Sequence, residues 1–209
     1  TGFSIPFKLT LNGLFQFAVK PKWALNYLTH EKFSLPQLEE FIDMKGDSVS
    51  VGKYFTEMLD PAMTWDDVAR MVEFWDGQFC LKGVMSVEDA LKAAEIGCTG
   101  IVVSNHGGRQ LDGSRSPFDQ LGEIVDAVGD RLDVILDSGI QRGTHILKAL
   151  SMGAKAVGGG RFYLYALAAA GQGGVERALE LMKLEIERDM RLMGVTRLSA
   201  LNRDNLRFR

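Results

Sequence analysis

A histidine and an arginine stand three residues apart, with two glycines between them, in the run Ser104-Asn105-His106-Gly107-Gly108-Arg109-Gln110. Imidazole is the side chain best suited to taking up a proton near neutral pH. A guanidinium offers a planar fork that matches a carboxylate. Intervening glycines permit backbone angles and close approaches that a Cβ would resist. The run can therefore bring a base and an anion clamp to bear on one small acid. Read without chemistry, it is a glycine-rich turn with a capping His and a surface Arg. Further polar residues are Lys82, the turn Asp137-Ser138-Gly139-Ile140-Gln141, and Gly160-Arg161. Turns of that kind can aim backbone N–H groups at a phosphate, and Arg161 would add charge. Lys82 could equally be a lysine reaching from a strand end to solvent.

The elements that must carry these residues follow from periodicity. Thr64-Trp65-Asp66-Asp67 fits a capping box, and Val68, Met71, Val72 and Trp75 follow at helical spacing. The short apolar runs at 79–81, 100–104, 133–137 and 154–158 read as strands. Helices are expected between them, one with Ser86 as N-cap and others near 118–128 and 144–152. A last long helix is expected over roughly 174–193. Alternation of this kind implies a parallel α/β sheet, either doubly wound or a (β/α)8 barrel. Lys82, Ser104 with His106, Asp137 with Gly139, and Gly160 with Arg161 all fall at C-terminal strand ends. Barrel enzymes place their chemistry there, with a phosphate site on the last two strands. The expected fold is thus α/β, the C-terminal half of a (β/α)8 barrel in about four βα units over residues 61–209. Residues 1–60, broken by Pro6, Pro21 and Pro36, read as a long irregular excursion before it, with helical pieces between Leu11 and Leu28. That stretch packs on the core or a partner subunit, or its aromatic and basic residues touch a membrane surface.

Composition bounds the rest. The chain has 209 residues, 46% of them hydrophobic, and a formal charge of -3, which gives no reason to expect nucleic-acid binding. Cys80 and Cys98 lack a partner at metal-ligand spacing and read as small buried hydrophobes in a reducing compartment. His30, His106 and His145 are too scattered to suggest zinc. The opening Thr1-Gly2-Phe3 is neither an initiator Met nor a signal peptide, and a chain that begins inside a longer protein is expected.

The His/Gly/Arg run resembles the active-site signature of the FMN-dependent 2-hydroxy-acid dehydrogenases and oxidases. The likeness extends to Asp60-Pro61-Ala62-Met63-Thr64-Trp65-Asp66-Asp67, Leu81-Lys82-Gly83-Val84, Glu88-Asp89-Ala90, Asp137-Ser138-Gly139-Ile140 and Gly160-Arg161-Phe162-Tyr163-Leu164-Tyr165-Ala166. The resemblance implies FMN as cofactor and oxidation of an L-2-hydroxy acid, with L-lactate favoured, to the 2-oxo acid. It implies His106 as catalytic base and Arg109 as substrate-carboxylate clamp. Lys82 and Ser104 would meet the flavin ring. Asp137 would meet the ribityl hydroxyls, and Ser138, Gly139, Ile140, Gln141, Gly160 and Arg161 the remaining cofactor surface and phosphate. The family usually has Arg where this chain has Gln141, and Arg142 is the neighbour that could swing in. Oxygen, a quinone or a cytochrome would accept the electrons. A homo-oligomer in the cytoplasm, peripheral on the inner membrane face if the first segment touches lipid, completes the expectation. The competing reading is a truncated, non-catalytic half-barrel fragment of such an enzyme; another phosphate-binding barrel enzyme would not need His106 and Arg109 three apart.

Overall fold

The structure, a computed structural model, describes residues 10–30 and 60–208. The chain divides into two compact units, Thr1–Met63 and Thr64–Arg209. In the first unit, α1 (Leu11–Ala18) and α2 (Pro21–Thr29) are short helices. Pro21 takes the first position of α2, where a missing N–H leaves no bond unmade. Leu11, Phe15, Leu25 and Leu28 are exposed. Residues 1–9 and 31–59 of the expected excursion lie outside the described residues.

The second unit runs α3 (Trp65–Trp75), β1 (Cys80–Val84), α4 (Val87–Glu95), β2 (Gly100–Val103), α5 (Pro117–Val128), β3 (Asp133–Leu136), α6 (Gly143–Met152), β4 (Ala156–Val157) and α7 (Arg161–Leu192). Local chemistry starts these helices. The Asp67 carboxylate accepts from the N–H and hydroxyl of Thr64 at the head of α3. Ser86 Oγ accepts the Asp89 N–H, 3.1 Å away, at the head of α4. The four strands are parallel and lie in chain order, β1-β2-β3-β4. A doubly wound sheet reverses strand order at a switch point, and this one does not. The fold is therefore a partial (β/α)8 barrel.

One sheet face carries the core. Ile101, Val103, Val134 and Leu136 are at most 1% exposed and pack with Leu121, Ile124 and Val128 of α5 and Ala90 and Ala93 of α4. Each such aliphatic side chain contributes about 1.5–3 kcal/mol on burial. The other face carries Lys82, Asp133 and Cys80. Cys80 is exposed there, against the expectation that both cysteines are buried; only Cys98 is. The apolar run around Cys80 hid the fact that alternate residues of a strand point to opposite faces.

Strand β1 contains an irregularity. Lys82 pairs with Val102, but the next pair is Val84 with Val103, so Gly83 is an extra residue, with φ of 99°. Helix α7 is two helical segments that meet at a kink at Ala170 and Gly171. The segment beyond the kink is the last helix expected from about 174, and the segment from Arg161 was not foreseen. Helix α6 is fastened to α7 at its first turn. Arg142 Nε donates to Glu185 Oε1 at 2.7 Å, and the Gly143 N–H to Glu185 Oε2 at 2.8 Å. The Arg142 guanidinium first, then the Gly143 N–H, hold the Glu185 carboxyl at about 2. A Cβ on Gly143 would come 2.9 Å from the Ile186 nitrogen, so residue 143 must be bare for the helices to meet.

Candidate functional site

Residues expected to do chemistry meet in one cleft at the C-terminal ends of the strands. It measures about 410 Å³ and is lined by Lys82, His106, Gly107, Arg109, Gln110, Asp137 to Gln141, Gly160, Arg161, Phe162 and Leu164. That volume lies within the range of about 300–1,000 Å³ usual for small-molecule sites. Ser104 is 1% exposed and sits beneath the cleft as a junction. Its Oγ lies 3.0 Å from Lys82 Nζ, 3.2 Å from the His106 nitrogen and 3.2 Å from Asp137 Oδ2. A hydroxyl has one proton to give and two lone pairs to receive. Lys82 and the His106 N–H fill the lone pairs, so the proton goes to Asp137.

Lys82 Nζ also lies 3.0 Å from Asp137 Oδ2. Burial alone would raise the Asp137 carboxyl. Lys82, the Ser138 N–H and the Ser104 hydroxyl outweigh that and hold it below the ordinary aspartate range. The Asp137 carboxylate is thus committed to Lys82, Ser104 and the Ser138 N–H, a set of partners that the expectation of ribityl contacts did not include.

The backbone of His106, Gly107 and Gly108 is left-handed, with φ of 56°, 71° and 69°. Each N–H in this run is received by a different side chain: His106 by Ser104, Gly107 by Ser138 Oγ at 3.0 Å, and Gly108 by Asn105 Oδ1 at 3.1 Å. Arg161 Nη2 donates to the Gly107 carbonyl at 2.7 Å. A Cβ on Gly107 would fall 2.7 Å from that nitrogen, so a side chain there would strain a φ of 71° and push the Arg161 tip aside. Gly83 is a site residue that the linear reading passed over. A Cβ there would lie 3.0 Å from His106 Nε2, so the imidazole rests over the bulge. The available signal was a glycine inside a strand, which often marks a bulge or a close approach.

The two glycine turns leave backbone donors free. The N–H groups of Gly139, Ile140 and Gly160 have no partner among the described residues, and a Cβ on Gly139 or Gly160 would meet nothing within 4 Å. The Gln141 N–H is different, since it donates to His145 Nδ1 at 3.3 Å. His145 therefore serves the turn. Arg142 is bound to Glu185, so the neighbour that could have replaced a cation at 141 is turned to another task. Unpartnered N–H groups beside Arg161 at the head of α7 suit a phosphate, and Lys82 suits an electron-rich ring; the residues present fit FMN. Phe74 and Trp75 lie on exposed parts of α3 and do not line the cleft.

The model for the FMN-dependent dehydrogenases matches residues 1–208. The chain belongs to that family. Among its relatives are FMN-dependent alpha-hydroxy acid dehydrogenases and L-lactate dehydrogenases. A putative L-lactate dehydrogenase of Mycobacterium tuberculosis is 37% identical over 201 residues, which are 96% of this chain and 47% of that protein. The L-lactate dehydrogenase (cytochrome) of Saccharomyces cerevisiae is 44% identical over 165 residues, 77% of this chain and 28% of that protein. Among solved structures, a monotopic membrane protein, (S)-mandelate dehydrogenase, superposes with a TM-score of 0.89 at 33% identity, covering 98% of this chain and 54% of the other. The chain thus spans about a quarter to half the length of these family members. No helix among the described residues is long and apolar enough to cross a membrane.

Replacement of Gly83 by alanine tests the packing of His106. The added methyl meets the imidazole and also strains a φ of 99°. The expected outcome is a displaced His106 ring, read as a changed imidazole resonance, with FMN still bound. An unmoved resonance contradicts the contact.

Proposed function

We propose that this chain carries the proton-accepting, carboxylate-binding and phosphate-binding parts of an FMN-dependent L-2-hydroxy-acid dehydrogenase or oxidase acting on L-lactate. The observation that supports this most is convergence: His106 and Arg109, from one loop, line the same cleft as Lys82, Asp137, Gly139 and Arg161. FMN, when bound, would supply the acceptor for a hydride equivalent, the two electrons together with one of the two protons the acid loses. Arg109 binds the substrate carboxylate through its fork and fixes the acid in the cleft. His106 takes the proton that leaves as the hydroxy acid becomes a keto acid. Lys82, steadied by Ser104 and Asp137, offers a fixed positive charge where reduction of a flavin adds a negative one. The N–H groups of Gly139, Ile140 and Gly160, with Arg161, hold the phosphate. L-lactate is favoured as substrate because two of the relatives above are lactate dehydrogenases by name.

The first unit supports a membrane-surface contact. Leu11, Leu14 and Phe15 of α1 and Leu25 and Leu28 of α2 are exposed, with Lys20 and Lys22 between them. The (S)-mandelate dehydrogenase that covers 98% of this chain is a monotopic membrane protein. Apolar side chains beside lysines suit the boundary of an anionic bilayer.

Three measurements test these assignments in the intact flavoprotein. His106→Gln keeps its visible flavin band but loses reduction by L-lactate by about 10²–10⁴-fold; bleaching at the parent rate excludes His106 as the base. Gln141→Arg adds a charge beside the phosphate turn that Arg142 cannot supply. It tightens FMN binding about fivefold, or roughly 1 kcal/mol, and an unchanged Kd sinks that account. The double variant Phe15→Ser/Leu25→Ser lowers co-sedimentation with phosphatidylglycerol vesicles. Undiminished sedimentation removes α1 and α2 from the membrane contact.

A further inference from the structure

Arg109 has no hydrogen bond or ion pair among the described residues, and it sits on an exposed loop rich in glycine. Gly108 and Gly113 are left-handed, and a Cβ on either would meet nothing within 4 Å. Packing therefore does little to fix the guanidinium. Something else must, if a small carboxylate is to be met in one geometry.

The loop is closed by one side chain. Asn105 stands at its first foot and is half-buried. Its Oδ1 accepts the Gly108 N–H at 3.1 Å, and its own carbonyl takes the same N–H at 3.0 Å. Its Nδ2 donates to the carbonyl of Arg115, at the second foot, at 3.2 Å. Among the described residues, no other hydrogen bond crosses from one foot to the other. The two partners also decide the chemistry required at 105. One is an N–H and the other a carbonyl, so the group between them must accept on one side and donate on the other. A carboxamide does both in one plane, whereas an ionised carboxylate cannot donate and a methyl can do neither.

We propose that Asn105 is a positioning residue for Arg109: its carboxamide ties the feet of the 106–114 loop together and so holds the guanidinium at the cleft for a small carboxylate. The inference rests on the reading of Arg109 as the carboxylate clamp. Asn105 does not itself line the cleft and lies outside the FMN turns, so its effect passes through the loop. A loop released at its second foot spends less time with Arg109 in place, which weakens substrate binding before it alters anything else.

Steady-state kinetics of the intact FMN-loaded enzyme with L-lactate test this in a double-mutant cycle. Asn105→Ala raises KM about tenfold, with the FMN Kd within about twofold of the parent. The fall in kcat is smaller than the rise in KM, because the Gly108 N–H keeps the backbone carbonyl of residue 105 and the His106 N–H keeps Ser104. In an Arg109→Ala background the same change alters kcat/KM by less than about twofold, because the group it positions is gone. Equal losses in both backgrounds, or a loss carried by FMN affinity, overturn the inference. Asn105→Asp guards against a variant that fails merely by opening a hole. At neutral pH it behaves like Asn105→Ala, because its ionised carboxylate fills the same space and still receives the Gly108 N–H but cannot donate to Arg115. Parent-like KM for Asn105→Asp at neutral pH also overturns it. The underlying reading fails separately: if Arg109→Ala leaves KM for L-lactate unchanged, the clamp assignment is wrong, whereas a raised KM there with none in Asn105→Ala rejects only the role given to Asn105.

Discussion

Three consecutive left-handed residues, His106 to Gly108, are the constraint around which this structure is arranged. Such angles are costly for a residue with a side chain, and His106 has one. The run persists because each of its N–H groups is received by a different side chain, from Ser104, Ser138 and Asn105. A single turn could not supply all three. Ser104 follows β2, Ser138 lies just past β3, and the parallel register of those strands sets their distance. The cleft thus inherits its geometry from the sheet.

Ser104 joins that backbone constraint to the electrostatics. The hydroxyl that receives the His106 N–H also receives Lys82 and donates to Asp137. Lys82 and Asp137 in turn restrain one another through a 3.0 Å ion pair at the strand ends. On the far side Arg161 reaches the Gly107 carbonyl from the head of α7. The same guanidinium would meet a phosphate, which places the cofactor turns and the His/Arg loop in direct contact. Movement in one must be felt by the other.

Much of this was legible in the sequence because it depends on neighbours along the chain. The strand spacing, the Ser86 cap and the Thr64–Asp67 pair are local, and the structure contains them. His106, Arg109, Lys82, Asp137 and Arg161 stood out as polar residues at strand ends, and they share one cleft. What escaped depends on distant partners. The junction at Ser104 joins residues up to 33 positions away, and the commitment of Arg142 to Glu185 spans 43. Pattern alone placed the helix beyond the kink at Ala170 and Gly171 but not the segment from Arg161 that precedes it. Asn105 was read only as part of a motif, because its second partner lies ten residues on.

Gly83 carries one more implication. In a regular strand, residues two apart share a face, but Lys82 looks into the cleft while Val84 is buried with Val103 under the helices. The bulge inverts the phase of β1 at its midpoint. Before it, Cys80 and Lys82 face the cleft side while Leu81 packs on the core; after it, Val84 takes the core side two residues from Lys82. Deleting Gly83 would leave Val84 opposite Val103 on the core face but remove the bulge over which the His106 imidazole rests, whereas pulling Gly83 into the ladder would turn Val84 towards the cleft.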